Sequence, residues 1–211
     1  MMSKIEWYFD FISPFAYLQS ERLHEFVPYG DVHYKPVLFA GLLNHWGQKG
    51  PAELPDKRRF SYRHLQWQAQ RHGIAFKMPP RHPFNPLQLL RLTMALGCQR
   101  QQIHDIFRFI WQEGRDPGDP AEFAALLARS GIPDKAVMEQ PAIKAALRNN
   151  TEQAIDQGIF GVPTILIDGE LFWGFDATDM ALDYLHHPDL FENPEMQRIS
   201  HLPSGAQRRK Q

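Results

Sequence analysis

Ser13, followed by Pro14, stands at the end of the run Lys4-Ile5-Glu6-Trp7-Tyr8-Phe9-Asp10-Phe11-Ile12. Serine is a good helix N-cap, and proline suits the first helical position because its missing N–H has no intrahelical partner there. A hydroxyl at that point sits beside free backbone N–H groups and the positive end of a helix dipole, which together favour negative charge, including that of a thiolate. No Gly-x-Ser-x-Gly elbow surrounds Ser13, so an acyl-enzyme is not expected. Its chemistry is a hydrogen bond donated to a sulfur supplied by another molecule, with plain helix capping as the competing reading. The chain itself offers little sulfur. Cys98 is the single cysteine, which excludes an intramolecular disulfide, a Cys-x-x-Cys redox centre and a cysteine-rich zinc site, and is read as a small buried residue. The ten histidines show no His-Glu-x-x-His spacing, and no metal is expected.

The elements that must position Ser13 follow from the pattern on either side. Ile5, Trp7 and Phe9 share one parity and predict a buried strand, and Phe15, Leu18, Leu23 and Phe26 recur at roughly helical spacing after the turn. The cluster Pro28-Tyr29-Gly30-Asp31 then leads into a second strand over Val32 to Leu38, with Pro36 marking an edge or an ending. From Phe39 to about Asn150 no strand is predicted. Helices are expected at about 56–72, 87–97, 99–113, 121–130 and 134–157, the last broken near Pro141, with turn clusters at 47–55, 74–86, 114–120 and Gly131-Ile132-Pro133. Strands resume at Gly161 to Ile167 and Glu170 to Trp173, joined by the hairpin signal Asp168-Gly169, and a final helix begins near Asp176. The α/β pattern therefore occupies 1–38 and 159–187, a helical block occupies 39–158, and 188–211 reads as a loosely held polar tail. Its Arg198, Arg208, Arg209 and Lys210 suit an acidic partner as a minor alternative.

The run Phe9-Asp10-Phe11-Ile12-Ser13-Pro14-Phe15-Ala16-Tyr17-Leu18 resembles the N-terminus of the kappa-class glutathione transferases and, among them, the 2-hydroxychromene-2-carboxylate isomerases. More distantly, Ser13-Pro14-Phe15-Ala16 takes the place of Cys-x-x-Cys in DsbA-type proteins. The resemblance spans about residues 4 to 187 and implies a thioredoxin-like fold with a large all-helical insertion. It implies a cis bond at Val162-Pro163, an X-Pro bond being the common site for a cis peptide, with the Val162 backbone pairing with the cysteinyl part of glutathione. Phe172-Trp173-Gly174-Phe175-Asp176 resembles the family's Trp-Gly-x-Asp-Arg turn, so Phe175 and Asp176 are expected near the γ-glutamyl end. Asp176 would meet its ammonium, unless it caps its own helix. Phe175 and Ala177 depart from the pattern, which has a small polar residue and an arginine there. Asn44 and Lys57 match an asparagine and a lysine of a loop near glutathione and the second substrate, although a lysine at a helix start is often only solvated.

The activity thus implied is glutathione-dependent isomerisation of 2-hydroxychromene-2-carboxylate or a related aromatic pyruvate by reversible thiolate addition. A kappa-like transferase and a non-catalytic thioredoxin-like peptide-binding protein are the alternatives. Trp46, Phe84 and Trp173 are candidates to enclose the flat substrate or to serve the core. In the stiff loop Pro79 to Pro86, Arg81, His82 and Asn85 are expected to anchor or cap, with contact to a substrate carboxylate as the alternative. A homodimer is implied by the resemblance alone. The 211 residues suit one domain with an insertion or two small domains, and a formal net charge of −1 supplies no whole-chain basic field for nucleic acid or membrane. With no apolar signal region or stretch of transmembrane length, a cytoplasmic protein is expected.

Overall fold

Alternation along β1 (Ile5–Phe9) sets the layers. Ile5, Trp7 and Phe9 enter one apolar cluster and Tyr8 another, so the strand is buried on both faces. The computed structural model describes residues 2–206 except Pro133. In it β2 (Val32–Pro36) runs parallel to β1, while β3 (Thr164–Ile167) pairs with β1 and β4 (Glu170–Trp173) with β3, both antiparallel, giving the order β2-β1-β3-β4. Trp7 lies opposite Tyr34 on one side and Ile165 on the other. Pro36 ends the edge strand, where proline removes least from the ladder. The β3–β4 hairpin turns through Asp168 and Gly169 with φ of 50° and 100°, as an Asp-Gly turn permits.

α1 (Pro14–Ser20) makes the crossover from β1 toward β2 and is shorter than the apolar spacing suggested. A 3-10 turn at Leu23–Phe26 follows it and still buries Leu23 and Phe26. The helical block comprises α2 (Phe39–Trp46), α3 (Pro55–Arg71), α4 (Leu87–Ala95), α5 (Arg100–Trp111), α6 (Pro120–Arg129) and α7 (Pro141–Asp156), with a separate 3-10 turn at Lys135–Glu139 before Pro141. It shares its core with the sheet: Trp7 stacks on Phe9 at 4.4 Å between ring centroids, and Phe107 of α5 reaches Phe11 at 4.6 Å. Cys98, just past α4, is half-buried against this core.

Two elements depart from expectation. α2 occupies a stretch read as loop, so Asn44 is helical. Leu38, at its N-cap, makes no side-chain capping bond, and the helix start is fixed from a distance, Phe39 N–H donating to Asp10 Oδ2 at 2.9 Å and Leu38 N–H to Thr151 Oγ1 at 3.0 Å. The expected loose tail instead folds as far as Ser200. After α8 (Thr178–His186), Phe191 stacks on Tyr184 at 5.4 Å, and α9 (Pro194–Ser200) starts from Asn193, whose side chain accepts from Glu195 N–H. Arg208, Arg209 and Lys210 lie outside the described residues.

Candidate active site

Ser13 caps α1 in an extended conformation, with φ −90° and ψ 110°. Ala16 N–H donates to its Oγ at 3.3 Å, and Ala16 and Tyr17 N–H also turn back to its carbonyl. Pro14 has no N–H, so the first turn's remaining donors reduce to the Ser13 hydroxyl and the Phe15 N–H. The hydroxyl donates to Val162 O at 3.4 Å, long against the ~2.7–2.8 Å usual for O–H···O. A donor held that weakly can be given to a better acceptor at small cost. Ser13 is nearly buried, which strengthens any charge interaction it makes.

The Val162-Pro163 bond is cis. Pro163 O accepts from Gly174 N–H at 2.9 Å, and Gly174 O accepts from Gln19 Nε2 of α1 at 3.0 Å. Gln19 is fully buried; its Nε2 also donates to Thr178 Oγ1 and its Oε1 accepts from Trp7 Nε1 at 2.8 Å. The Ser13 turn, the proline edge and the Trp173-Gly174 turn are thus closed into one ring of hydrogen bonds, with α1 as its return path. Asp176 is exposed and does not cap its own helix, since α8 has Ala177 at its N-cap without a side-chain bond. Its carboxylate folds over Gly174, where an added Cβ would lie 2.5 Å from Oδ1. Phe175 is different: its side chain is in the core, edge-on to His72 at 5.0 Å, so only its backbone is left for a ligand.

Asn44 and Lys57 are exposed, on α2 and in the first turn of α3, and neither belongs to that ring. α2 reaches the proline edge through Trp46, whose Nε1 donates to Ile159 O at 2.9 Å; α3 reaches α1 through His64, 6.2 Å from the Phe15 ring. Trp173 flanks the edge on the other side, its Nε1 2.4 Å from where a Gly161 Cβ would stand. Trp46 and Trp173 remain exposed, whereas Phe84 is partly buried and packs on Trp111 at 6.0 Å against the core.

Sequence reasoning missed two residues that shape the turn besides Gln19. Asp10, quoted only as part of a motif, is fully buried and bridges the Ser13 turn to α2: Oδ1 accepts from Ile12 N–H at 3.1 Å and Oδ2 from Phe39 N–H. Burial outweighs those donors and pushes its carboxyl up to about 7. Tyr62 donates to His82 Nδ1 at 2.6 Å, while His82 Nε2 is 2.8 Å from Ile12 O. Arg81 pairs with Asp116 at 2.7 Å and Asn85 Oδ1 accepts from Leu87 N–H at 3.0 Å, so all three polar residues of the proline-rich loop act as anchors.

Glutathione's needs can be compared with this arrangement. The Ser13 hydroxyl is poorly occupied and suits a sulfur; the exposed Asp176 carboxylate, without an ion-pair partner among the described residues, suits an ammonium. Among the described residues there is no cluster of three His, Cys, Asp or Glu able to hold a metal, and no helix long and apolar enough to cross a membrane.

Comparison with known proteins finds similar chains over most of the length. A Caenorhabditis elegans protein named glutathione S-transferase kappa 2 is 28% identical over 213 residues, covering 90% of this chain and 94% of its own. A 2-hydroxychromene-2-carboxylate isomerase of Sphingobium xenophagum is 27% identical, covering 88% and 99%. The solved structure of a 2-hydroxychromene-2-carboxylate isomerase superposes with a TM-score of 0.74 at 23% identity, over 91% of this chain and 98% of that one, a likeness of fold. The DSBA-like thioredoxin domain model matches residues 4–186, and the chain belongs to that family.

Proposed function

We propose that this protein is a glutathione-dependent isomerase acting on 2-hydroxychromene-2-carboxylate or a related aromatic pyruvate. The observation that carries the reading is the approach of the Ser13 hydroxyl to the carbonyl that precedes the cis Pro163, with Asp176 brought to the same edge through Gly174. The relatives named as isomerases and as a kappa transferase support the chemistry.

Glutathione, held by Ser13, Val162 and Asp176, would supply a thiolate nucleophile for reversible addition to an unsaturated carbon. The residues of this chain supply the rest. Ser13 exchanges its long bond to Val162 O for one donated to the sulfur, favouring the charged form over a thiol whose free pKa is about 8.5. The backbone at Val162 pairs with the cysteinyl segment as an added strand would. Asp176 would hold the γ-glutamyl ammonium, and the backbone N–H groups of Phe175 and Asp176 would receive its carboxylate. Asn44 of α2 and Lys57 of α3 are assigned to contacts with glutathione and the second substrate, and the exposed Trp46 and Trp173 offer flat faces to the latter.

A transferase that releases the conjugate is the second reading, favoured by the relative named kappa 2. Incubation with glutathione and 2-hydroxychromene-2-carboxylate separates them. Isomerisation leaves total glutathione constant over many turnovers; stoichiometric loss of glutathione would identify a transferase. Calorimetry showing no glutathione binding would reject both, and peptide binding retained in the same protein would favour a peptide-binding module.

A further inference from the structure

We propose that His82, held in one tautomer by Tyr62, is a positioning residue that fixes the Ile12–Ser13 peptide and hence the direction of the Ser13 hydroxyl. Ile12 O can only accept, so the 2.8 Å contact requires the proton to be on His82 Nε2. Nδ1 of the neutral ring is then bare and accepts the Tyr62 hydroxyl at 2.6 Å. Tyr62 also approaches His82 O at 3.1 Å, but its one proton serves the shorter contact. Burial depresses the imidazole pKa, which keeps the ring neutral and the assignment single. The ring meets Trp111 at 5.3 Å and Phe84 at 5.9 Å edge-on, and this packing restrains its plane.

The same wall secures the preceding peptide, for Trp111 Nε1 donates to Phe11 O at 3.0 Å. Two consecutive carbonyls before Ser13 are therefore held by side chains of the helical block. Ser13 N–H donates to Asp10 O at 3.0 Å from the other end of the peptide whose carbonyl His82 holds. Rotating that peptide breaks both bonds and swings Ser13, and small misplacements at a reacting centre are costly. The helical block thus aims the hydroxyl on the sheet side.

The activity arm of the test rests on the glutathione reading. His82→Phe keeps the ring packing and removes the donor, while His82→Gln can place an N–H near the position of Nε2. His82→Phe should lower the isomerisation kcat about tenfold, the order expected for one lost hydrogen bond, and move the bound thiol pKa toward the free value. His82→Gln should recover most of both, and Tyr62→Phe should fall between wild type and His82→Phe. Equal losses in the Phe and Gln variants, or an unchanged thiol pKa in His82→Phe, would overturn the proposal. The ligand-free arm is independent of glutathione. Imidazole nitrogen NMR should show the Nε2–H tautomer in wild type and a mixture in Tyr62→Phe, and the Ser13 amide should exchange faster in His82→Phe but not in His82→Gln. An Nδ1–H tautomer in wild type, or a Ser13 amide indifferent to His82, would overturn the proposal even if glutathione never binds.

Discussion

Ser13 Oγ lies 3.4 Å from the carbonyl oxygen of Val162, a residue 149 positions away in the chain. The proximity follows from β3 lying antiparallel beside β1, since the segments that enter and leave the two strands then meet at the same end of the sheet. Pro163, Gly174 and Gln19 close the circuit back to α1. A change anywhere in the circuit should therefore be felt at Ser13.

Gln19 is the most concentrated test of that circuit. Gln19→Leu strands the Trp7 indole N–H in a dry interior, at about 1–3 kcal/mol, and takes one of two donors from the Gly174 carbonyl, which keeps the Ala177 N–H. Chemical denaturation should show a loss in that range or above it, with weaker glutathione binding in the variant that still folds. Unchanged stability would mean that the bonds to Gln19 are not made.

Gly174 has φ 97° and ψ 161°, a region open essentially to glycine, and its missing Cβ makes room for the Asp176 carboxylate. Gly174→Ala should cost about 1–3 kcal/mol and displace Asp176. Calorimetry should then show glutathione affinity falling together with the melting temperature. A variant of wild-type stability and affinity would contradict the described turn.

Asp10 makes stability depend on pH. Its folded pKa of about 7 lies above the ordinary carboxylate value of 3.8, so between these limits the folded state holds more protons than the unfolded state. This group's contribution is therefore most favourable below about pH 4 and is lost as pH rises toward 7. Asp10→Asn removes the titration, and the difference between wild-type and variant melting temperatures should fall with rising pH across that window. Parallel curves would show that Asp10 titrates normally.

Most of the framework is legible locally. Ser13-Pro14 is a cap signal within two residues, Asp168-Gly169 a turn signal within two, and the parity of Ile5, Trp7 and Phe9 marks the central strand. α9 was equally legible through Asn193-Pro194, a cap followed by proline at the first helical position, but the polar composition around it suggested a tail. α2 is another matter. Leu38 makes no side-chain cap and Gly41 is a poor helix former inside α2, and what fixes the helix start comes from Asp10 and Thr151, remote in sequence. Gln19 and His82 share that opacity: each is an ordinary polar residue until folding brings Trp7 and Gly174 to one and Ile12 and Tyr62 to the other. Phe175 shows the opposite limit, where motif position pointed to a ligand and hydrophobicity prevailed in placing the side chain.

The ultraviolet absorbance of the thiolate, followed as glutathione is titrated with pH on wild-type and Ser13→Ala protein, tests the role of Ser13 most directly. Wild type should hold the bound thiol well below its free pKa of about 8.5, and Ser13→Ala should return it most of the way, with kcat/KM lower by about 10²-fold, as for the loss of one donor to a developing anion. An identical thiolate fraction in the two proteins, with glutathione bound to both, would contradict the assignment of Ser13.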